Sequence, residues 1–581
     1  MNVIKKLKQM KIKTPWKKFY NKSDLKIEVL DISIYEMLRR SAMEHLDNTA
    51  LNYFGRRITY REFINLIDKC AVAFRSQGIR RGDVVTICMP NTPEGLISFY
   101  AINKIGAIAN MIHPLSGEEE IKDYLIRNHS VMLVTIDVCY EKVKEIIKET
   151  DVYKTVVVSA KDSMPTLMGL GYEVTQGYKV KRPRKSEQYL YWKDFLNKAN
   201  SYNAEYKVEV HKDDPAVILH SGGTTGSPKG IVLSNGSFNA MTEQIKIVLN
   251  DVGVGDRVLG ILPIFHGFGL GVTINIPLVL GCEVIMIPQF NSRKFDKMIE
   301  KYRPTIILGV PTLFEALTNI KNDKLDLSML KYVISGGDSL SESLNRRVNL
   351  YLSEHGAKVK VCQGFGMTES LAAVCLAFGK AARDGSIGIP LPGNYIKIVT
   401  PGTQDELPYG EDGEICVSGP TVMLGYLDNE KETNEMLQIH KDGQLWLHTG
   451  DMGMMTDEGI VYYRQRIKRM IVSSGYNIYP SYVESVIEEH EAVLRCSVVG
   501  IPHPYKVEVP KAFIVLKNDY SGSSVKSSIK EHCKKNLAAY SIPYEFEFRK
   551  SLPKTLLGKV DFRRLRDENI SKEEDDTDEE E

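Results

Sequence analysis

Ten residues, Ser221 to Gly230, combine the chemical groups that bind a polyphosphate. They read Ser-Gly-Gly-Thr-Thr-Gly-Ser-Pro-Lys-Gly, which supplies glycine N–H groups, several hydroxyls and one lysine. Such donors and a fixed cation stabilise phosphate oxygens. The stretch is not a Walker A loop, because Pro228 precedes Lys229 and a β-branched run follows it. We predict a phosphate-binding loop rather than a spare flexible turn, which rarely carries two adjacent threonines and a Pro-Lys-Gly exit.

The elements that hold this loop are visible on both sides of it. The short apolar runs Ala216–Leu219 and Ile231–Leu233 predict two strands. Further upstream, strands such as Val84–Met89 alternate with helical patterns such as Ile97–Ile105. This alternation predicts a parallel sheet that is covered on both faces by helices.

Length and composition narrow the class of protein. A chain of 581 residues, with 43% hydrophobic and 26% charged residues, is typical of a soluble protein with several domains. Lys and Arg number 75 against 74 Asp and Glu, which argues against a nucleic-acid partner. The nine cysteines form no Cys-x-x-Cys pair, so we expect reduced thiols in a cytoplasmic protein. The apolar region Gly271–Pro288 is interrupted by polar residues, and predicts a buried helix, a turn and a strand rather than a membrane span.

Three segments fall outside these patterns. The basic first twenty residues are compatible with a weak, helical contact to an anionic membrane surface, but a solvated and frayed terminus is the favoured interpretation. The acidic end, residues 571–581, is predicted to be disordered. Ser163–Arg184 is rich in Gly, Tyr and Lys without periodicity, so we interpret it as an insertion or surface loop and assign it no function.

The phosphate loop also resembles the signature loop of the adenylate-forming superfamily. That superfamily includes acyl-CoA synthetases, aryl-CoA ligases, firefly luciferase and the adenylation domains of peptide synthetases. Further stretches resemble its other motifs, in the same order and across nearly the whole chain: Leu262–Gly269, Tyr332–Asp338, Val359–Glu369, Trp446–Asp451, Tyr463–Ile471 and Leu552–Lys559.

The resemblance implies an α/β fold with two parts. A large N-terminal domain of several subdomains would contain mixed and parallel sheets, and a hinge would join it to a small α+β C-terminal domain. We predict a basic tail (1–30), an AMP-binding domain (31–464), a hinge (465–469), a lysine-bearing domain (470–570) and an acidic tail (571–581). In the small domain, Ser481 and Glu484 predict a capping box that opens a helix over Tyr482–Glu489.

The same resemblance implies where ATP binds. Two glycine-containing turns would form the adenine slot, with Phe365 stacking on the base where the family more often has tyrosine. Asp451 would accept hydrogen bonds from the ribose hydroxyls, and Arg466 would also contact the ribose. The implied ATP-binding residues are Ser221, Gly222, Gly223, Thr224, Thr225, Gly226, Lys229, Ser335, Gly336, Gly337, Gln363, Gly364, Phe365, Gly366, Thr368, Asp451 and Arg466.

Catalytic and substrate-binding roles follow from the resemblance in the same way. The implied catalytic residues are Lys559, Thr225, Lys229 and Glu369, with Mg²⁺ held by Glu369 and Thr224. The acyl pocket would contain His266, Phe268 and Gly269. The aspartate that holds an α-amine in peptide-synthetase domains is missing from that stretch, which favours an amine-free acid. Lys468 would be the hinge residue, and Ser474, Gly475 and Tyr476 would approach the thiol of CoA.

The leading hypothesis is therefore an AMP-forming acyl-CoA ligase for a medium- or long-chain fatty acid, with ATP, CoA and Mg²⁺ as its small-molecule partners. An aryl-CoA ligase, or a loader of a carrier-protein phosphopantetheine, is the alternative within the family. A nucleotide-binding sensor without turnover is the alternative from another class. The presence of both Glu369 and Lys559 argues against the sensor.

Overall fold

The structure is a computed structural model. It describes residues 12–202, 208–221, 229–473, 476–503, 505–555 and 559–568. Everything below concerns these ranges.

The helices are distributed along the whole chain. A π-helix covers Phe268–Asn275. The α-helices are α1 Ile34–Ala42, α2 Tyr60–Ser76, α3 Pro93–Lys104, α4 Glu118–Arg127, α5 Tyr140–Ile146, α6 Thr166–Thr175, α7 Trp192–Asn197, α8 Asn235–Val248, α9 Ile276–Val279, α10 Phe295–Tyr302, α11 Pro311–Thr318, α12 Glu342–Glu354, α13 Glu430–Met436, α14 Pro480–Glu488 and α15 Gly522–Asn536.

The strands are β1 Thr49–Tyr53, β2 Arg56–Thr59, β3 Val84–Cys88, β4 Ile108–Ile112, β5 Ser130–Ile136, β6 Lys154–Val158, β7 Tyr189–Tyr191, β8 Pro215–Ser221, β9 Lys229–Ser234, β10 Arg257–Gly260, β11 Glu283–Met286, β12 Ile306–Gly309, β13 Tyr332–Ser335, β14 Val361–Phe365, β15 Cys375–Leu376, β16 Ile389–Pro390, β17 Tyr395–Val399, β18 Gly413–Ser418, β19 Gly425–Tyr426, β20 Leu437–Ile439, β21 Leu445–Met455, β22 Val461–Arg466, β23 Ile471–Ser473, β24 Tyr476–Ile478, β25 Val493–His503, β26 Val507–Leu516 and β27 Glu545–Phe548.

These strands form four sheets. One sheet has the order β19-β9-β8-β4-β3-β5-β6-β7, and a second has the order β16-β15-β14-β13-β12-β10-β11-β1-β2. A third sheet contains β17-β18-β21-β20 with β22 beside β21, and the fourth contains β24-β23-β26-β25 with β27 beside β26. The first two sheets are parallel through their centres. The predicted α/β class, with a large N-terminal part and a small C-terminal part, is confirmed.

The phosphate loop joins the two strands that its flanks predicted. β8 and β9 are antiparallel, and their last pair brings Ser221 opposite Lys229. Three of the helices begin at side-chain caps: Ser33, Thr59 and Thr92 accept hydrogen bonds from backbone N–H groups in the first turns of α1, α2 and α3. The Gly271–Pro288 region folds, as predicted, into helix, turn and strand, all closely packed in the core.

Residues 12–20 are packed against the protein, which corrects the frayed terminus predicted for them. Trp16 is only 2% exposed and lies against the backbone of Gly459. The Tyr20 hydroxyl donates to the Pro390 carbonyl at 2.8 Å. Within residues 12–20 the helical element is the short 3₁₀ turn Pro15–Phe19, and the remainder of the basic stretch, residues 1–11, lies outside the described residues. The frayed terminus was predicted because no local pattern shows that Trp16 packs against a residue far along the chain.

The small C-terminal part contains the predicted helix, but not the predicted capping box. The helix α14 begins at Pro480, and its N-cap residue, Tyr479, makes no side-chain capping bond. The Glu484 carboxylate instead accepts hydrogen bonds from the Arg469 guanidinium at 2.5 Å and from the Val498 backbone N–H at 2.8 Å. A tertiary contact has therefore replaced the local one, because Glu484 is directed towards the strand β25.

Among the described residues, no helix combines the length and the apolar character that crossing a bilayer requires.

Candidate active site

A cavity of about 920 Å³ lies between the large and the small parts of the protein. Its wall brings together most of the described residues that the sequence motifs singled out. They are Lys229, His266, Phe268, Gly336, Gly337, Gln363, Gly364, Phe365, Gly366, Thr368, Glu369, Asp451, Arg466, Lys468 and Lys559.

The remaining predicted residues fall into two groups. Ser335 and Gly269 are described and buried, but they do not line the cavity. A Cβ atom on Gly269 would lie 1.9 Å from the Pro263 carbonyl oxygen, so this glycine allows close backbone packing. Gly222, Gly223, Thr224, Thr225, Gly226, Ser474 and Gly475, together with the side chains of Ser221 and Tyr476, lie outside the described residues.

The predicted adenine slot is built from the carboxyl ends of two parallel strands. β13 ends at Ser335, which is paired with Gln363 of β14. Ligand sites commonly form at this edge of a parallel sheet. The chain then turns tightly, because a Cβ atom on Gly366 would lie 1.4 Å from the Ala372 carbonyl oxygen. The Phe365 ring is nearly buried and lies 5.9 Å from the Tyr463 ring, centroid to centroid. One wall of the slot is therefore aromatic.

Asp451 places a carboxylate at the cavity wall. Its side chain is buried, and Oδ1 lies 3.4 Å from Arg466 Nε. Burial raises the pKa of Asp451 to about 6, although the nearby Arg466 cation opposes this increase. Oδ1 has no hydrogen-bond donor among the described residues. A buried acceptor without a donor is costly unless a ligand supplies one, and vicinal hydroxyls would do so.

The segment before Asp451 is held by the neighbouring strand β18. Thr449 donates its hydroxyl proton to the Ile415 carbonyl at 2.7 Å, and the Asp451 N–H donates to the Thr449 hydroxyl at 3.1 Å. The Gly450 N–H donates to Glu414 Oε1 at 3.0 Å. Gly450 has a φ of +67°, a conformation that favours glycine. These bonds fix the direction of the Asp451 side chain.

Glu369 is paired with a tyrosine that no sequence motif indicated. The Tyr426 hydroxyl donates to Glu369 Oε1 at 3.0 Å, and both side chains line the cavity. In the described part of the chain, no donor bonds to the second carboxylate oxygen, Oε2. Tyr426 comes from β19, which is paired with β9 directly after the phosphate loop. Only the tertiary fold brings this pair together, so local spacing carries no signal for it.

The donor chemistry beside the phosphate loop fits a magnesium ion. Mg²⁺ prefers hard oxygen ligands and typically takes one or two carboxylates together with substrate phosphates. Glu369 offers such an oxygen at the cavity wall. Lys229 lies next to it: its ammonium is 2.7 Å from Glu432 Oε2 and 5.0 Å from the centroid of the Tyr426 ring.

Lys559 reaches this site from the small C-terminal part. The Thr555 N–H donates to the Lys559 carbonyl at 2.8 Å, and Lys554 forms an isolated antiparallel bridge with Val560. Burial lowers the pKa of Lys559, and Arg466 adds to this effect while Asp338 and Asp451 oppose it. Asp338, on the turn after β13, is therefore a second neighbour to which the sequence analysis gave no role.

His266 lies on the side of the cavity that the sequence assigned to the acyl group. Burial lowers the pKa of His266 to about 4, and the Lys559 cation contributes to the decrease, so the ring is neutral near pH 7. The Phe268 N–H donates to His266 Nδ1 at 3.3 Å. The ring proton is therefore on Nε2, which remains a donor.

Part of the cavity wall is apolar. The side chains of this group come from α8 and the segment after it, from the π-helix, from α9 and the residue after it, and from the central strands β10, β12 and β13. They are Ile245, Leu249, Val252, Val258, Val272, Ile276, Leu280, Ile306, Leu308 and Ile334. The cavity wall therefore combines the polar residues of the motifs with an apolar group of side chains.

Contacts between the two parts of the protein hold Lys559 in this position. Arg495 Nη2 of β25 lies 2.7 Å from Glu315 Oε2 of α11, and each side chain is about four-fifths buried. A longer pair joins Arg346 of α12 to Glu489 at 3.7 Å. We refer to this arrangement as the lysine-in orientation.

The motifs agree with matches to known families. Residues 38–427 match the family model described as AMP-binding enzyme, and residues 482–559 match the AMP-binding enzyme C-terminal domain. The chain belongs to the adenylate-forming acyl-CoA synthetase superfamily. The resemblance found in the sequence is thereby confirmed, and the two matches cover the two parts of the protein that contribute to the cavity.

Full-length relatives include two named enzymes. A long-chain-fatty-acid–CoA ligase of Bacillus subtilis is 33% identical, over 96% of this chain and 99% of its own length. A long-chain-fatty-acid–CoA ligase of Haemophilus influenzae is 31% identical, over 93% and 95%. The enzyme class predicted from the sequence, an AMP-forming acid–thiol ligase, is that of these relatives.

A solved structure shows the same fold. The ATP-bound MatB of Rhodopseudomonas palustris superposes with a TM-score of 0.80 at 22% identity, over 93% of this chain and 99% of that one.

Proposed function

We propose that this protein activates a medium- or long-chain fatty acid with ATP and transfers the acyl group to CoA. The observation that carries the proposal is that Lys559, Asp451 and Arg466 line the same cavity as a group of apolar side chains from the large part of the protein. The relatives named above support the fatty-acid substrate class.

In the first half-reaction, a carboxylate oxygen of the fatty acid attacks the α-phosphorus of ATP. The bond between the α-phosphorus and the bridging oxygen breaks, and pyrophosphate leaves. No general base is needed, because a carboxylic acid is already ionised near pH 7. The barrier is largely electrostatic, since negative charge approaches negative charge.

The described residues have distinct roles in this proposal. Phe365 stacks on adenine, and Asp451 accepts hydrogen bonds from the ribose hydroxyls beside Arg466. The Lys559 ammonium lies against the α-phosphate oxygens and offsets the charge that accumulates there. His266 Nε2 donates to the carboxylate oxygen that does not attack. Lys229 and the loop that precedes it hold the β- and γ-phosphates.

The Glu369 carboxylate and the Thr224 hydroxyl are the residues that would hold Mg²⁺. When bound, this ion supplies positive charge to the phosphate oxygens of ATP. The bond from the Tyr426 hydroxyl keeps the Glu369 carboxylate directed towards the cavity.

In the second half-reaction, the CoA sulfur attacks the acyl carbon of the adenylate. The bond between that carbon and the phosphate oxygen breaks, and AMP leaves. We propose that the small domain turns about residues 465–469, with Lys468 at the hinge, so that Lys559 withdraws. The segment Ser474–Tyr476 then approaches the thiol. Lys468 is exposed in the short turn Ile467–Arg469, between the last strand of the third sheet and the first strand of the fourth.

We place this activity in the cytoplasm. All nine cysteines are free thiols, which supports a reducing compartment.

A panel of acids tests the proposal. Octanoate, palmitate, benzoate and 4-coumarate are each incubated with ATP and Mg²⁺, and the release of pyrophosphate and AMP is followed with and without CoA. We expect the fatty acids to give the highest kcat/KM, and acyl-CoA and free AMP to form only when CoA is present.

The other outcomes contradict the proposal. A preference for benzoate or 4-coumarate would identify an aryl-CoA ligase, and adenylation without transfer to CoA would indicate another acceptor. The absence of any carboxylate-dependent release of pyrophosphate would leave the nucleotide-binding sensor as the remaining hypothesis.

A further inference from the structure

The helix α6 has its apolar face towards the solvent, which is the reverse of a normal surface helix. The exposed fractions are 85% for Leu167, 61% for Leu170 and 76% for Val174. Spaced by three and four residues, these side chains lie on one face of the helix. Met168 and Tyr178, which are 41% and 66% exposed, extend the apolar area. We refer to these five residues as the α6 surface.

A charged residue of α6, Glu173, faces the protein. Glu173 pairs with Lys161 at 2.7 Å and with Arg182 at 2.8 Å. Arg182 in turn lies 2.9 Å from the buried carboxylate of Asp137. These ion pairs lower the pKa of Glu173 to about 2, chiefly through its hydrogen bonds to Arg182 and Lys161. Charged contacts thus hold the helix to the protein, and the side chains of Leu167, Leu170 and Val174 are largely exposed within the described part of the chain.

Packing does not explain this orientation. α6 lies in the connection between the parallel strands β6 and β7, where a helix normally buries its apolar side chains against the sheet. Here Gly169 is the one fully buried residue of the helix. Contiguous apolar surface of this kind marks an interaction site. None of the five residues lines the cavity, so the α6 surface is separate from the proposed active site.

The charges around the α6 surface indicate its partner. Residues 161–185 contain six lysines and arginines against two carboxylates. Lys179 and Arg184 are exposed, and no carboxylate pairs with either in the described part of the chain. Basic residues beside an apolar helix face, with a tyrosine at its edge, match the interface of an anionic bilayer.

A second copy of the chain fits this surface less well. In a two-fold dimer the same patch meets itself, so the basic flank of one subunit would face the basic flank of the other. We therefore propose that the α6 surface binds the headgroup region of an anionic lipid bilayer, with Leu167, Leu170 and Val174 inserted among the acyl chains.

Sedimentation with lipid vesicles tests this proposal on the full-length chain. The vesicles consist of phosphatidylcholine alone or of phosphatidylcholine mixed with phosphatidylglycerol. We expect the wild type to bind the mixed vesicles. In L167Q/L170Q/V174Q, each replaced apolar side chain should lower the affinity for these vesicles by about tenfold. The Lys179→Gln and Arg184→Gln changes should each weaken binding to the anionic vesicles by about fivefold.

A matched control uses exposed apolar residues elsewhere. Val254, Leu350 and Ile439 are 61%, 60% and 70% exposed, and V254Q/L350Q/I439Q should bind vesicles as the wild type does. A second control replaces the basic side chains of Lys5, Lys6, Lys8 and Lys11 by glutamine, and should keep the binding that depends on α6. Equal melting temperatures show that each variant is folded.

Three results would overturn the proposal. Undiminished vesicle binding by L167Q/L170Q/V174Q would show that α6 does not contact lipid. Equal binding to neutral and anionic vesicles would remove the role of the basic flank. A dimer that dissociates in L167Q/L170Q/V174Q, without any vesicle binding by the wild type, would make the surface a contact between two copies of the chain.

Discussion

The ion pair between Arg495 and Glu315 joins the small domain to the large one, and its loss should affect one half-reaction only. We consider Glu315→Gln, which keeps the shape of the side chain and removes its charge. The two groups lie 2.7 Å apart, and their side chains are 21% and 18% exposed. At an effective dielectric constant of about 20, the attraction is about 6 kcal/mol. The cost of removing both ions from water offsets most of it.

We expect Glu315→Gln to destabilise the lysine-in orientation by about 1–2 kcal/mol. This lowers the population of that orientation relative to the others by about five- to thirtyfold. Arg495 stays close to Glu488, so the substitution does not leave a buried cation alone. Because adenylation requires Lys559 in the cavity, kcat/KM for pyrophosphate release should fall by up to this factor. Transfer of the acyl group from a supplied acyl-adenylate to CoA should be unchanged or faster.

Single-turnover measurements of the two half-reactions are the appropriate assay. Glu354→Gln is the control, because Glu354 is an exposed carboxylate at the end of α12. Equal losses in both half-reactions, or no loss in either, would refute the claim that this pair stabilises the lysine-in orientation.

Two further predictions concern the ribose site and the hinge. The Asp451 carboxylate, with a pKa of about 6 raised by burial, becomes protonated as the pH falls through that value, so kcat/KM for ATP should decrease on the acidic side. Asp451→Asn should lower kcat/KM for ATP and remove this acidic limb from its pH profile; an unchanged limb would assign it to another group. Lys468→Pro should leave adenylation nearly intact, because proline fixes φ near a value that the turn Ile467–Arg469 tolerates. It should slow the transfer to CoA, because a fixed φ prevents rotation at the hinge. Unchanged transfer to CoA would remove Lys468 as the hinge.

Sequence patterns predicted the fold well where the signal was local. The strands around the phosphate loop and the alternation that gives the parallel sheets follow from short-range periodicity and turn residues. The order of the motifs came from the resemblance to the adenylate-forming superfamily. The parallel sheets then bring Ser335 and Gln363 to the same edge, because strands that run in the same direction end together.

Other features depend on contacts that no local pattern contains. The prediction of a capping box at Glu484 was wrong, because the Arg469 guanidinium and the Val498 N–H bind the same carboxylate. The role of Tyr426 beside Glu369 depends on the pairing of β19 with β9, far apart in the sequence.

The helix α6 was predicted as an irregular segment for a different reason. Two glycines, Gly169 and Gly171, weaken the helical signal. Its apolar side chains also point away from the core, so this stretch of sequence lacks the pattern that predicts a helix buried against a sheet. The outward direction of these apolar side chains is also the observation on which the lipid-binding proposal rests.

In the proposed mechanism, Lys559 serves the first half-reaction and not the second. The most direct measurement compares Lys559→Ala with Lys554→Ala, a neighbouring and exposed lysine of the same segment. Each variant is assayed for carboxylate-dependent pyrophosphate release and for transfer from a supplied acyl-adenylate to CoA. We expect Lys559→Ala to abolish pyrophosphate release and to retain transfer, while Lys554→Ala retains both. Equal loss of the two activities in Lys559→Ala would contradict the account.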